Sequence, residues 1–302
     1  MYSEIQVREA QPGDLAELHA LATRALPLDR FSVELLREKL FANRRPEQFS
    51  WSTQVAVCGG KTVGFMQSAV RRPTRKCWIG MFAVDAGHRR QGIATRLYEH
   101  VRRGWPADFS EAEVLAIPCN YFHPGLDPRY TEGLCFVEKL GFLRGKDCAN
   151  LTGSLERRFD TAAEHARLAP LGVTVRRATR GDGPLLDAFF SANFGDDWRY
   201  EAELAIGQSP IALHLGIKDG RIIAFSGHSS QNREWGFFGP MGTAPESRGL
   251  GLGRVLLWHC LNDMHDAGHR TCVIPWVGPV SFYHQWAGCR VERVFWRYVL
   301  KP

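Results

Sequence analysis

A duplication restricts the fold of this chain more than any other feature. The stretch "VDAGHRRQGIATRLYEH" at 84–100 lies without a gap over "TAPESRGLGLGRVLLWH" at 243–259, so that Arg89 and Arg248, Gly92 and Gly251, Ala94 and Gly253, and His100 and His259 each stand 159 residues apart. Three weaker echoes surround it. "VCGGKTVGFMQSAV" at 57–70 matches "IKDGRIIAFSGHSS" at 217–230 at an offset of 160, "VREAQPGD" at 7–14 matches "VRRATRGD" at 175–182 at 168, and Ile117-Pro118 recurs as Ile274-Pro275 at 157. Solenoid repeats have periods of about 20–50 residues, so a repeat this long is a duplicated domain. With 302 residues, 44% of them hydrophobic, the chain can fill two cores. The spacing predicts a first domain over 1–152, a linker with one helical stretch over 153–172, and a second domain over 173–302.

Each copy reads as the same α/β unit. An opening strand leads to a helix entered through Gly-Asp (13 and 14; 181 and 182), then to a hairpin whose turns, Gly59-Gly60 and Asp219-Gly220, supply the positive φ of a tight reversal. An apolar strand follows (78–84; 235–243), then a glycine turn opening a helix (92–103; 251–266), then a further strand (114–118; 271–275).

Composition excludes several function classes. The eight cysteines at 58, 77, 119, 135, 148, 260, 272 and 289 form no C-x-x-C pair, so reduced, mostly buried thiols are expected rather than disulfides or a metal site. The formal charge of +6 comes from 38 basic against 32 acidic residues, with the basic ones dispersed in short pairs such as Arg71-Arg72 and Arg102-Arg103. A solvated surface explains that excess better than a nucleic acid does, and a small anionic ligand fits it too. No basic leader followed by an apolar run opens the chain, and no run of about 18 uncharged apolar residues occurs. The expectation is a cytoplasmic protein, monomer or homodimer, with neither a membrane nor a nucleic acid as partner.

The glycine turn carries the chemistry. Helix N-termini present unpaired N–H groups and a partial positive charge, so a turn stripped of side chains lets phosphate oxygens reach the backbone. Arg89-x-x-Gly92-x-Ala94 and Arg248-x-x-Gly251-x-Gly253 both have this form. The dinucleotide fingerprint G-x-G-x-x-G fails, because Arg254 stands where the third glycine belongs after Gly249 and Gly251. "GGKT" at 59–62 is no P-loop either, since the position five before Gly60 is Val55 and the turn leads into a strand.

In these two stretches the chain resembles the GCN5-related N-acetyltransferases, in a tandem arrangement: "VDAGHRRQGIA" and "TAPESRGLGLG" both carry the family's Q/R-x-x-G-x-G/A motif after a strand end. The resemblance covers nearly the whole chain outside the linker. It implies two acyl-CoA N-acyltransferase-like α/β domains, each a mixed sheet flanked by helices, and acetyl-CoA as cofactor. The cofactor's diphosphate would rest on Arg89, Arg90, Gln91, Gly92, Ile93, Ala94 and Thr95, and on Arg248, Gly249, Leu250, Gly251, Leu252, Gly253 and Arg254. The pantetheine arm would add to the free edges of Phe82, Ala83 and Val84, and of Met241, Gly242 and Thr243. In the family a helical tyrosine shortly before a Gly-aromatic pair protonates the departing thiolate. "SFYHQWAGC" offers Tyr283 for that role, while "CFVEKLGF" has Val137 in its place. Valine donates no proton, and neither Tyr130 nor Cys135 stands at the right spacing. The second copy also departs from the pattern: Gly288 lies five residues after Tyr283, Gly141 lies four after Val137, and Cys289 replaces the aromatic. A core tyrosine on an amphipathic helix is the plainer reading of Tyr283.

Transfer to an amine needs a base, because lysine-like amines are protonated below about pH 10.4. His228 and Glu234 are the candidates in the second copy, each also readable as a structural or surface residue. The backbone N–H near Met241 or Gly242 is placed to bind the developing oxyanion, whereas Pro240 has none. Asp196, Asp197, Trp198 and Tyr200 in "NFGDDWRYEAE" either hold a cationic amine or simply open a helix. The insertion "PCNYFHPGLDPRYTEG" at 118–133 is long for a connection, fitting either function or domain packing. The expected function is N-acetylation of a small-molecule primary amine by direct transfer in a ternary complex, with the second copy catalytic. The alternative is a non-catalytic acyl-CoA binder or sensor.

Overall fold

The computed structural model describes residues 4–302 and divides into two compact units, Met1–Cys148 with Val294–Pro302, and Ala149–Arg293. Residues 153–172, read as a linker, thus lie in the second unit, and the C-terminal segment lies in the first.

The first unit runs β1 (Ile5–Glu9), α1 (Leu15–Ala25), α2 (Val33–Phe41), β2 (Phe49–Cys58), β3 (Lys61–Arg71), β4 (Lys76–Val84), α3 (Ile93–Arg103), β5 (Ala112–Val114), α4 (Thr131–Lys139) and the start of β6 (Leu143–Ser154). The second runs α5 (Ala162–Leu168), β7 (Val173–Arg177), α6 (Gly183–Asn193), α7 (Asp196–Ile206), β8 (Leu213–Lys218), β9 (Arg221–His228), β10 (Phe238–Thr243), α8 (Leu252–Asp266), β11 (Thr271–Ile274), α9 (Val280–Ala287) and the start of β12 (Arg290–Leu300).

The duplicated sequence gives duplicated local structure. Arg8 grips Asp14 with two hydrogen bonds of 2.7 and 2.8 Å, and Arg176 grips Asp182 with bonds of 2.8 and 2.7 Å, fixing the entry to the first helix of each copy. The β2–β3 and β8–β9 hairpins turn on Gly59-Gly60 and Asp219-Gly220, all four residues at positive φ as the two-residue reversal requires. In the first unit the strands lie in the order β1-β2-β3-β4-β5-β12, and β4 runs parallel to β5. Its core joins Ile93, Leu97 and Val101 of α3 to Val63, Met66 and Ile79 of the sheet. In the second unit β7, β8, β9 and β10 form an antiparallel sheet packed between clusters built from Phe189, Phe190 and Phe225 on one side and Val255, Leu256 and Leu252 on the other.

Two strands find partners that their place in the sequence does not foretell. The end of β12 pairs with β5 (Val299↔Glu113, Leu300↔Ala112), while β11 pairs with the end of β6 (Thr271↔Ser154 to Ile274↔Leu151). Alternating apolar residues mark a strand but not its neighbour, so the C-terminal segment completes the sheet of the first copy. The strand expected at 114–118 is shorter and earlier, because Leu115 and Ala116 take φ of +59° and +55° and end β5 at Val114. Among the described residues no helix is long and apolar enough to cross a membrane, and no group of three or more His, Cys, Asp or Glu is arranged to hold a metal.

Candidate functional site

In the second unit the glycine turn enters α8 as its spacing predicts. Gly249 and Gly251 take φ of +86° and +73°, and Gly251 occupies the N-cap with no side chain bonded to the helix end. The first N–H groups of Leu252 and Gly253 therefore lack a side-chain cap, whereas Arg254 N, expected to join them, donates to Gly251 O at 3.2 Å. No atom of a described residue lies within 4 Å of the position a β-carbon would take on Gly249. Arg248 is exposed and forms no ion pair with any described residue. At Gly251 the Arg167 guanidinium lies 2.6 Å from the β-carbon position, so the turn is open at Gly249 and covered at Gly251. Open amides, a helix N-terminus and the unpaired Arg248 suit an anionic ligand.

The strand before the turn is bulged and open on one side. The register Phe238↔His228 shifts by one residue before Met241↔Ser226, and the corresponding shift in the first copy falls between Met66 and Ser68 on β3 opposite Ile79–Phe82. Ala244 N donates to Ile223 O at 2.9 Å, so by the alternation of an antiparallel ladder Met241 and Thr243 turn their N–H and C=O groups away from β9. On that side the link to β11 is the parallel bridge Phe237↔Val273, below the bulge. Asp85 N to Val63 O, 2.9 Å, sets the same alternation for Phe82 and Val84 in the first unit, where β4 parts from β5 after Ile79.

Tyr283 lies on α9 with its ring edge-on to Phe238, centroids 5.9 Å apart, and is 8% exposed. Its hydroxyl makes no hydrogen bond to a described residue. Burial, with the Cys289 and Cys260 thiols adding to it, raises its pKa well above the ordinary phenol value, so the group stays protonated. The extra residue before Gly288 is absorbed in the turn that ends the helix. Cys289 N donates to Tyr283 O at 3.3 Å, and Phe142 N donates to Val137 O at 3.2 Å. Tyr283 and Val137 each accept from the residue after the glycine, across six residues in α9 and five in α4.

The first unit has the same turn with different surroundings. Gly92 caps α3 at φ +78° with no atom of a described residue within 4 Å of its β-carbon position, but Arg89 is committed, through Nε to Val84 O at 3.2 Å and through Nη1 to Glu132 at 2.9 Å. Val137 is fully buried in the apolar core. The Tyr130 hydroxyl is engaged too, donating to Asp29 at 2.6 Å and accepting from Leu28 N at 3.1 Å, while Cys135 is exposed on α4.

The two candidate bases are not brought together. His228 points beneath α8, its Nε2 3.4 Å from Asp263 and its Nδ1 3.0 Å from Ser229 Oγ. It belongs to a buried polar network in which Asp263 also binds Arg177 at 2.6 Å through each oxygen and His214 at 2.7 Å. Burial alone would raise the Asp263 pKa, but the bonds from His214, His228 and Arg177 outweigh it and hold the carboxyl far below its usual range. Glu234 is exposed in the 3-10 turn that precedes β10 rather than on the strand itself.

On the opposite face of the sheet, Phe194 presses on β10 so closely that a β-carbon on Gly242 would lie 2.5 Å from its Cζ. Trp198 stacks on Phe194 at 5.0 Å and is 37% exposed, giving an aromatic wall on this face of the sheet, with Asp196 and Asp197 in the first turn of the same helix as Trp198. The role of Phe194 escapes the sequence because only the folded chain sets it against Gly242.

The profile of the acetyltransferase (GNAT) family matches residues 15–104 and 184–284, more than half of the chain. Among solved structures the chain is similar to the GCN5-related glucosamine N-acetyltransferase region of a fungal multi-domain GH3 β-N-acetylglucosaminidase, at 17% identity and a TM-score of 0.83, covering 99% of this chain and 38% of that one. It is also similar to a GCN5-related N-acetyltransferase from Sphaerobacter thermophilus (16% identity, TM-score 0.73, 98% of this chain and 95% of that one). A tandem GNAT protein from the clavulanic acid biosynthesis pathway matches at 16% identity and a TM-score of 0.69, covering 99% of this chain and 98% of the other. No curated protein matches. With one matched region in each unit, the chain belongs to the acetyltransferase (GNAT) family as a tandem of two of its domains.

Proposed function

We propose that the protein transfers the acetyl group of acetyl-CoA to a primary amine of a small molecule, directly within a ternary complex, and that the second unit carries the reaction. The single observation behind this assignment is the pair Tyr283 and Val137: each accepts from the residue after the glycine that ends its helix, and only the first can donate a proton. Acetyl-CoA, when bound, supplies an activated thioester. In this reading the amides from Gly249 to Gly253 hold the diphosphate, with Arg248 adding charge, and the Met241 C=O with the outward groups of Thr243 pairs with the pantetheine arm. The Met241 N–H faces the developing oxyanion; donors of this kind typically contribute about 3 kcal/mol. Tyr283, kept protonated by burial, gives its proton to the leaving thiolate.

The base is Glu234 rather than His228 in this assignment. Both nitrogens of His228 are engaged beneath α8, whereas Glu234 lies at the surface in the turn before β10. The Phe194–Trp198 wall receives the apolar part of the acceptor, with Asp196 and Asp197 near its cation. The first unit binds acyl-CoA without turning it over.

The test is incubation of the full chain with acetyl-CoA and a panel of amines that includes glucosamine, polyamines and aminoglycosides, with thiol release and product mass as readouts. Thiol release dependent on one amine class, with a mass gain of one acetyl group, supports the reading. Tight acetyl-CoA binding with no amine-dependent release supports the binder instead.

A further inference from the structure

The segment 153–172 contributes side chains to the second glycine turn. In α5 the spacing of three sets Glu164 and Arg167 on one face. The buried Glu164 carboxylate accepts Arg167 Nε at 3.2 Å and Nη2 at 2.9 Å, and it also binds the Arg254 guanidinium. Arg167 Nη2 donates in addition to Leu250 O at 2.7 Å, so the guanidinium rests on the turn itself, 2.6 Å from where a β-carbon on Gly251 would be. Arg254, in the first turn of α8, lies 4.2 Å from the Trp286 ring centroid, and its buried Nε has no hydrogen-bond partner. Arg167 Nη1 makes no hydrogen bond to a described residue, and the side chain is 40% exposed.

Two arginines share one carboxylate at a helix end that already carries partial positive charge. Cations at that end repel the helix dipole, so the cluster gains when an anion joins it. With Nε and both Nη2 hydrogens taken by Glu164 and Leu250 O, Arg167 keeps the two N–H groups of Nη1 to donate in charge-assisted bonds to a phosphate oxygen. Among the described residues of the first unit there is no counterpart, and none of them stands within 4 Å of the Gly92 β-carbon position.

We propose that Arg167 is a diphosphate-binding residue for coenzyme A in the second unit, held on the turn by Glu164 as a positioning residue. This rests on the acetyl-CoA reading above and extends the cofactor site to a segment outside both matched family regions. Calorimetric titration of the full chain with CoA and with 3′-dephospho-CoA, paired with amide hydrogen exchange over residues 251–258, tests it. In the wild type both ligands should protect 251–258. In R167A both should bind there about tenfold more weakly while residues 92–99 respond as before, and R167K should fall between; R167K carries the same test if R167A does not fold. Unchanged or tighter binding in R167A, with the wild type protected, overturns this inference alone. A loss confined to CoA overturns the diphosphate assignment in favour of the 3′-phosphate. No protection in the wild type overturns the acetyl-CoA reading along with it.

Discussion

The Phe194 ring covers Gly242 so tightly that a single added methyl would meet its Cζ at 2.5 Å. G242A must therefore push the ring off β10. The expected cost is about 1–3 kcal/mol of stability, the usual range for overpacking, together with a rise of about fivefold or more in the KM for the amine. Urea unfolding and steady-state kinetics read the two effects. Unchanged amine KM would detach Phe194 from the acceptor wall.

Val137 is wholly enclosed by the first unit's core. Restoring a tyrosine there inserts a ring and a hydroxyl into filled space, so V137Y should lose about 1–3 kcal/mol and gain no second active centre. A variant as stable as the wild type would contradict the placement of Val137 in filled core space.

Burial, with the charges of the neighbouring His214 and His165 adding to it, lowers His259 to a pKa of about 4. The unfolded chain holds this proton near the ordinary value of about 6.5, so between those values the unfolded state binds more protons. Stability from this group is complete above about pH 6.5 and is lost as pH falls toward 4. Urea midpoints should drop from pH 7 to pH 5, and H259F should flatten that dependence. Parallel slopes for both proteins would refute the assignment.

Asp263 is 12% exposed and compensates Arg177, His214 and His228 at once. D263N strips the charge from a part-buried pair whose Arg177 is 38% exposed, so the loss should fall below the cost of about 3–5 kcal/mol for a fully buried pair. A thermal melt reads the loss. H228Q should share part of it while kcat persists; E234Q should lower kcat by about 100-fold, the range of a lost general base. The opposite pattern would return the base to His228.

The parts of the fold legible in the sequence are those set by neighbours along the chain. Gly59-Gly60 and Asp219-Gly220 name their turns because few other residues tolerate positive φ, and Gly92 and Gly251 name their helix entries for the same reason. Pairings over long separations are not legible. Nothing local assigns Val299 to Glu113, or gathers Arg177, His214, His228 and Asp263 into one network. Arg167 left only the i,i+3 Glu-Arg spacing of an ordinary helix, and its place on Gly251 emerges once α5 packs into the second unit.

Separation of binding from chemistry at Tyr283 tests the account most directly. Acetyl-CoA titrated into Y283F should show the wild-type Kd, while amine-dependent thiol release falls by about 100-fold or more, within the range of a lost general acid. Release at the wild-type rate, or a Kd that collapses together with the rate, would contradict it.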